Sequence, residues 1–155
     1  MLHRVAPHIL SAMHVTDLAI NKTMGMQLAA QGNGHLLELP ESPLLLNHVG
    51  TVHASVQFAL AEACSGEFLL NQLGEAQNQV FAVLRTSEVK FRKPAHGALR
   101  ASARPEEATE TTLLDDLVSR GRALASVQVE VSDAQGVVTM TGRYDWFLQR
   151  QNSTS

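Results

Sequence analysis

The chain has 155 residues, of which 45% are hydrophobic and 17% charged, enough for one domain with a real core rather than two. Its one cysteine, Cys64, excludes an intramolecular disulfide framework and suits a reducing compartment. A formal charge of −3 gives no electrostatic reason to expect nucleic acid as the main partner. The opening MLHRVAPHILSAMHV has no uninterrupted apolar core of signal-peptide length, and no run of about 18 apolar residues follows. A soluble cytoplasmic protein, off the membrane, is expected.

In chain order, Ile9, Leu10, Met13, Leu18 and Ile20 predict a short helix or two between residues 6 and 22, with Pro7 in a first turn. Residues 24–30 and 35–39 flank Gln31-Gly32-Asn33-Gly34 and read as a hairpin, ended by Pro40 and Pro43. A loop over residues 47–51 leads into a helix over residues 52–73 that stops at Gly74. Val80–Phe91 predicts a long strand, a turn follows at residues 94–97, and residues 98–103 form the next strand. A polar run, residues 105–112, separates this from a short helical turn near residues 113–118. Two alternating strands, Arg122–Ser132 and residues 137–148, are joined by Asp133-Ala134-Gln135-Gly136. In the first of these Ala123, Ala125, Val127, Val129 and Val131 share one face and Ser126, Gln128 and Glu130 the other, so one face packs. A hairpin, one long small-residue helix and about four mostly adjacent strands predict an α+β architecture, an antiparallel sheet packed on a helix. Residues 1–148 form this single domain and residues 149–155 a polar tail.

The chemistry concentrates in residues 47–67, NHVGTVHASVQFALAEACSGE. Asn47, His48 and His53 sit in or beside a glycine-containing loop, and Glu62 lies among small apolar residues that other structure can wrap closely. Burying an ionised carboxylate without partners costs several kcal/mol, so Glu62 either points to solvent, is paired, or has chemistry to do. Asn47 serves equally as a turn-former, and His53 as a helix cap. His48 and His53 are five apart with no third ligand in sequence, so no metal site is expected. Cys64 reads as a small buried apolar residue. Lys90, Arg92 and Lys93 form a local basic cluster, solvated by default.

Asn47, His53 six positions on and Glu62 nine positions after that resemble the signature of hotdog-fold acyl-CoA thioesterases, the phenylacetate-pathway (PaaI-like) and 4-hydroxybenzoyl-CoA thioesterase-like enzymes. The stretch VKFRKPAHGALRASA is similar to that family's strand, Pro-Ala turn and next strand, and GRYDWFL to its last strand; together the resemblance spans roughly residues 20 to 148. It implies a hotdog fold, an antiparallel sheet wrapped around a long central helix, and hydrolysis of an acyl-CoA thioester to the acid and free coenzyme A. Coenzyme A enters as part of the substrate and no separate cofactor is implied. His53 and Glu62 differ by about 180° around one helix and by ~13 Å along it, so a shared site needs a second copy. The resemblance implies that arrangement, a homodimer or dimer of dimers with each site shared between subunits.

On this reading Glu62 is the general base on water, or else a nucleophile. Backbone N–H groups at the helix start, around His53 and Ala54, form an oxyanion hole, and Asn47 adds a side-chain donor or holds the loop. Arg92 and Lys93 receive coenzyme A phosphates. The chain departs from the family where many members have Gly-Gly after the histidine and it has Ala54-Ser55. A backbone N–H survives this change, with a methyl group added beside the thioester. The hydroxyl residue that some members use to orient water falls on Leu84, and the nearest hydroxyl expected on that strand face is Thr86. The alternatives are a hotdog protein that binds acyl-CoA or another ligand without turnover, and an enoyl-CoA hydratase or dehydratase on the same scaffold.

Overall fold

A computed structural model describes residues 13–151, apart from the side chains of residues 108, 110 and 111. Its elements are α1 (Ala19–Met24), β1 (Gln27–Leu28), β2 (Leu37–Leu39), α2 (Ala54–Leu73), β3 (Val80–Phe91), β4 (Leu99–Pro105), α3 (Glu107–Arg120), β5 (Arg122–Ser132) and β6 (Val138–Arg150). Among the described residues the strands form one six-stranded sheet, antiparallel at every pairing, in the order β1-β2-β4-β5-β6-β3. The expected face of β5 is the packed one: Ala123, Ala125, Val127, Val129 and Val131 are all buried. α2 lies across this inner face over β4 and β5. Its Ala61, Ala63 and Cys64 let the helix approach closely, and its Leu60 and Leu69 fill the layer against Leu37, Leu39, Leu99 and Val127. Each such leucine, fully buried, stabilises the fold by roughly 1.5–3 kcal/mol. This is the α+β hotdog architecture, a sheet wrapped on one long helix.

Boundaries follow local chemistry where the signal is local. β3 and β5 begin and end as predicted, and α2 stops at Gly74, whose N–H donates to the Leu70 carbonyl. The first hairpin is shorter than expected, because residues 19–24 continue as helix and only Gln27–Leu28 and Leu37–Leu39 pair. α3 is longer: the polar run predicted as a separator belongs to a 14-residue helix, held by buried Leu113 and Leu117 and by the Thr109 hydroxyl, which accepts from Ser126 N–H. The tail starts later than expected, since Gln149 and Arg150 still pair with β3. Ile9, Leu10, Pro7 and the tail's last four residues lie outside the described residues. No helix among the described residues is long and apolar enough to cross a membrane.

Candidate active site

The loop before α2 is built by Asn47. Its side-chain oxygen accepts from Val49 N–H at 3.0 Å and Thr51 N–H at 3.1 Å, while its amide donates to Thr51 Oγ1 at 2.8 Å. Gly50 has φ +80°, a conformation that favours glycine, which lets the turn close. Asn47 therefore holds the loop, the second of its two expected roles. The loop delivers His53 as the helix cap: its Nδ1 accepts from Ser55 N–H at 3.1 Å and lies 2.6 Å from Ser55 Oγ. The backbone N–H of His53 is already donated to the Leu45 carbonyl at 2.9 Å. The expected pair of free donors thus reduces to one. Ala54 N–H has no acceptor among the described residues, and it points outward from the positive end of a 20-residue helix.

Two carboxylates lie on α2, and their surroundings differ. Glu67 is 2% exposed; it accepts from Val15 N–H at 2.9 Å and meets His14 Nδ1 at 2.5 Å. Nothing in the sequence near Glu67 announces this, because both partners lie more than 50 residues away. Glu62 is half-buried, and its carboxylate has no hydrogen bond or ion pair among the described residues. Burial pushes its pKa above the ordinary glutamate value. Around it, Trp146 Nε1 donates to Ser65 Oγ at 2.9 Å, and Ser65 Oγ donates to the Glu62 backbone carbonyl at 2.7 Å, which pins this side of the helix to β6. Cys64 is buried, and burial together with Glu67 pushes its thiol up, so it stays protonated and is no nucleophile.

The hydroxyl on β3 is a different residue from the one expected. Leu84 pairs with Trp146 and Thr86 with Asp145, so Arg85 is an extra residue, a bulge. One inserted residue reverses the faces beyond it. Thr86 consequently stands on the outer face, beside Asp145, which binds Ser126 and Arg143. Ser87, paired with the buried Tyr144, takes the inner face that α2 packs on. Arg85 itself stacks its guanidinium 4.6 Å from the Phe147 ring.

Arg92 and Lys93 are exposed at the end of β3, with both N–H groups donated to the Thr139 carbonyl. Arg92 Nε donates to Thr141 Oγ1 at 3.0 Å and lines an open groove of about 420 Å³ with Ser102, Arg104, Gln128 and Glu130. That groove is on the outer face, so the sheet separates Arg92 from Glu62. Arg104 is a second cation there that the sequence reading passed over. Among the described residues no cluster of three or more His, Cys, Asp or Glu could hold a metal ion.

Among the described residues the Ala54 N–H and the Glu62 carboxylate have no partner, and they lie eight residues and ~12 Å apart along one helix. One chain cannot bring them to a single atom. β3, a 12-residue strand, is the edge of the sheet, and Phe81 and Phe91 on it are 45% and 47% exposed.

Residues 8–148 match the model of a family described as a domain of unknown function, DUF4442. No curated protein sequence matches the chain. Among solved structures, a Pseudomonas aeruginosa protein of unknown function, a probable thioesterase, is 24% identical with a TM-score of 0.73, over 88% of this chain and 91% of that one. A Bacillus halodurans protein solved with CoA is 22% identical with a TM-score of 0.64, over 83% and 74%. A Staphylococcus aureus thioesterase, solved as one variant with a glutamate changed to alanine and another with a glutamine changed to alanine, is 16% identical with a TM-score of 0.64, over 84% and 98%. These likenesses are of fold.

Proposed function

The chain belongs to the DUF4442 family, and from that premise we propose that it is a thioesterase that hydrolyses an acyl-CoA to the free acid and coenzyme A, with Glu62 as general base. The observation that carries this reading is the half-buried Glu62, with no partner among the described residues, on a helix whose other carboxylate is held by His14 and Val15. A half-buried carboxylate that no residue among those described ties up in an ion pair is free to abstract a proton. Two similarities support it. The two residues altered in the S. aureus variants are fifteen apart, as Asn47 and Glu62 are, and the B. halodurans relative was solved with CoA.

In the proposed reaction Glu62 takes a proton from water as the water oxygen bonds to the thioester carbon. The carbonyl electron pair moves to oxygen, where Ala54 N–H and the helix dipole stabilise it. Collapse breaks the C–S bond, and the departing thiolate recovers the proton from Glu62. Ser87, on the inner face, is the hydroxyl placed to orient the water.

The two groups come from different subunits of a homodimer. A long exposed edge strand is a template for pairing with another chain, and β3 against β3 of a second copy would extend the sheet and cover the open side of Glu62. Asn47 and His53 hold the loop and helix start. Arg92 and Lys93, just past the end of β3, bind the coenzyme A phosphates where the substrate passes round the end of that strand. Binding without turnover is the second reading, favoured by an oxyanion hole cut from two expected N–H donors to Ala54 alone among the described residues.

The test is thiol release across short, long and aromatic acyl-CoAs, with Glu62→Gln as control, and light scattering for the dimer. Mixed dimers of Glu62→Gln with an Ala54→Pro variant, which removes the N–H, should regain activity once subunits exchange; no recovery under demonstrated exchange sinks the shared site. CoA binding that persists without any thiol release favours the second reading. Arg92→Ala with Lys93→Ala should weaken CoA binding and flatten its salt dependence.

A further inference from the structure

Tyr144 is the chain's one tyrosine, fully buried on β6 between Val127 of β5 and Ser87 of β3. Its ring lies in a slot made by a missing side chain: a Cβ on Gly142 would stand 2.8 Å from Tyr144 Cε2 and 3.0 Å from Val89 Cγ1. On the other side the ring packs against Phe58 of α2, with centroids 5.5 Å apart and planes tilted by 57°. Glycine below and phenylalanine above aim the hydroxyl at one turn of the helix. There it donates to the Phe58 carbonyl across 3.4 Å, a long bond for a hydroxyl.

That carbonyl is the one to which the Glu62 amide donates in the helical i to i−4 pattern. The phenol thus reaches the turn of α2 that bears Glu62; burial, and after it the Glu62 charge, pushes its ionisation up. The other titratable group beside Tyr144 is Cys64, also on α2, which burial keeps protonated and so without charge. β3 and β5 present Ser87 and Val127 beside the ring, neither of them charged. A buried tyrosine hydroxyl normally finds a good acceptor. The carboxylate of Glu62, four residues along the same helix, is a stronger acceptor than a carbonyl.

We propose that Tyr144 is a positioning residue for Glu62: its hydroxyl turns from the Phe58 carbonyl to the carboxylate and holds it in the orientation that takes a proton from water. The inference rests on the reading of Glu62 as the base.

Tyr144→Phe keeps the ring and removes the hydroxyl. Because a hydrogen bond to the charged form favours ionisation, its loss should raise the Glu62 titration midpoint by about half a pH unit or more. The midpoint is followed by carbon-13 NMR of the labelled side chain without substrate. The acidic limb of the pH–rate profile should move upward by the same amount, and kcat should fall about tenfold while KM changes less than about twofold. A role in packing alone would leave the titration where it is, and an unmoved midpoint overturns the proposal. The NMR reading separates two failures: a wild type inert toward every acyl-CoA sinks the thioesterase reading, whereas an unmoved midpoint in an active enzyme sinks only the role of Tyr144. Should Tyr144→Phe not fold, Phe58→Leu frees the ring to swing away and should shift the midpoint in the same direction; no shift there also overturns it.

Discussion

Exchanging the two carboxylates of α2 one at a time separates chemistry from architecture. Glu62→Gln keeps shape and removes the base, so turnover should fall by roughly 10²-fold or more. Its effect on stability follows from burial. Glu62 has no partner among the described residues, and its folded pKa is raised above the ordinary 4.5. The folded protein therefore holds this proton more tightly than the unfolded chain does. Protonation contributes stability that is complete below the unfolded pKa and is lost as pH rises toward the folded value. At neutral pH the half-buried Glu62 has no ion-pair partner among the described residues, and glutamine removes that charge. The melting midpoint at pH 7 should be unchanged or higher, each 1 kcal/mol gained adding ~2–4 °C for a chain of this size. The difference should shrink as pH falls below 4.5, where both side chains are neutral. Glu67→Ala should behave oppositely, leaving Val15 N–H and His14 without their acceptor and costing about 3 kcal/mol. Thermal melts at both pH values, beside thiol-release rates, check this. A Glu62→Gln protein that melts as low as Glu67→Ala but keeps its rate would refute the assignment of Glu62 to chemistry.

Gly142→Ala puts a methyl group 2.8 Å from the Tyr144 ring, so urea unfolding should show a loss of about 1–3 kcal/mol; a neutral result would mean the ring is not held in that slot. His53→Ala removes the cap and should cost about 0.5–2 kcal/mol. Its rate should stay within about tenfold, because Ala54 N–H remains. A collapse of rate as deep as that of Glu62→Gln would instead give the imidazole a part in the reaction.

Features set by neighbouring residues were legible in the sequence. The period-two pattern of β5 defines its buried face, the β-branched and aromatic run of β3 defines its length, and Gly74 ends α2, because each depends on a few adjacent side chains. Asn47, His53 and Glu62 were nominated differently, by their resemblance to the hotdog thioesterase signature, since taken alone each also fits a loop, cap or surface role. α3 was only half legible, since its first turn is polar and is held by a distant contact, Thr109 to Ser126. What remained hidden was decided by contacts between distant segments. One bulge at Arg85, sensed only through pairing with β6, exchanges Thr86 for Ser87 on the inner face. The Leu45 carbonyl takes the His53 N–H and leaves Ala54 N–H as the donor with no acceptor among the described residues. Glu62 and Glu67 look alike along the chain, five residues apart on one small-residue helix. Only folding brings His14 and Val15 to Glu67 and gives Glu62 no partner among the described residues, because a carboxylate's state depends on what surrounds it and not on what precedes it in sequence.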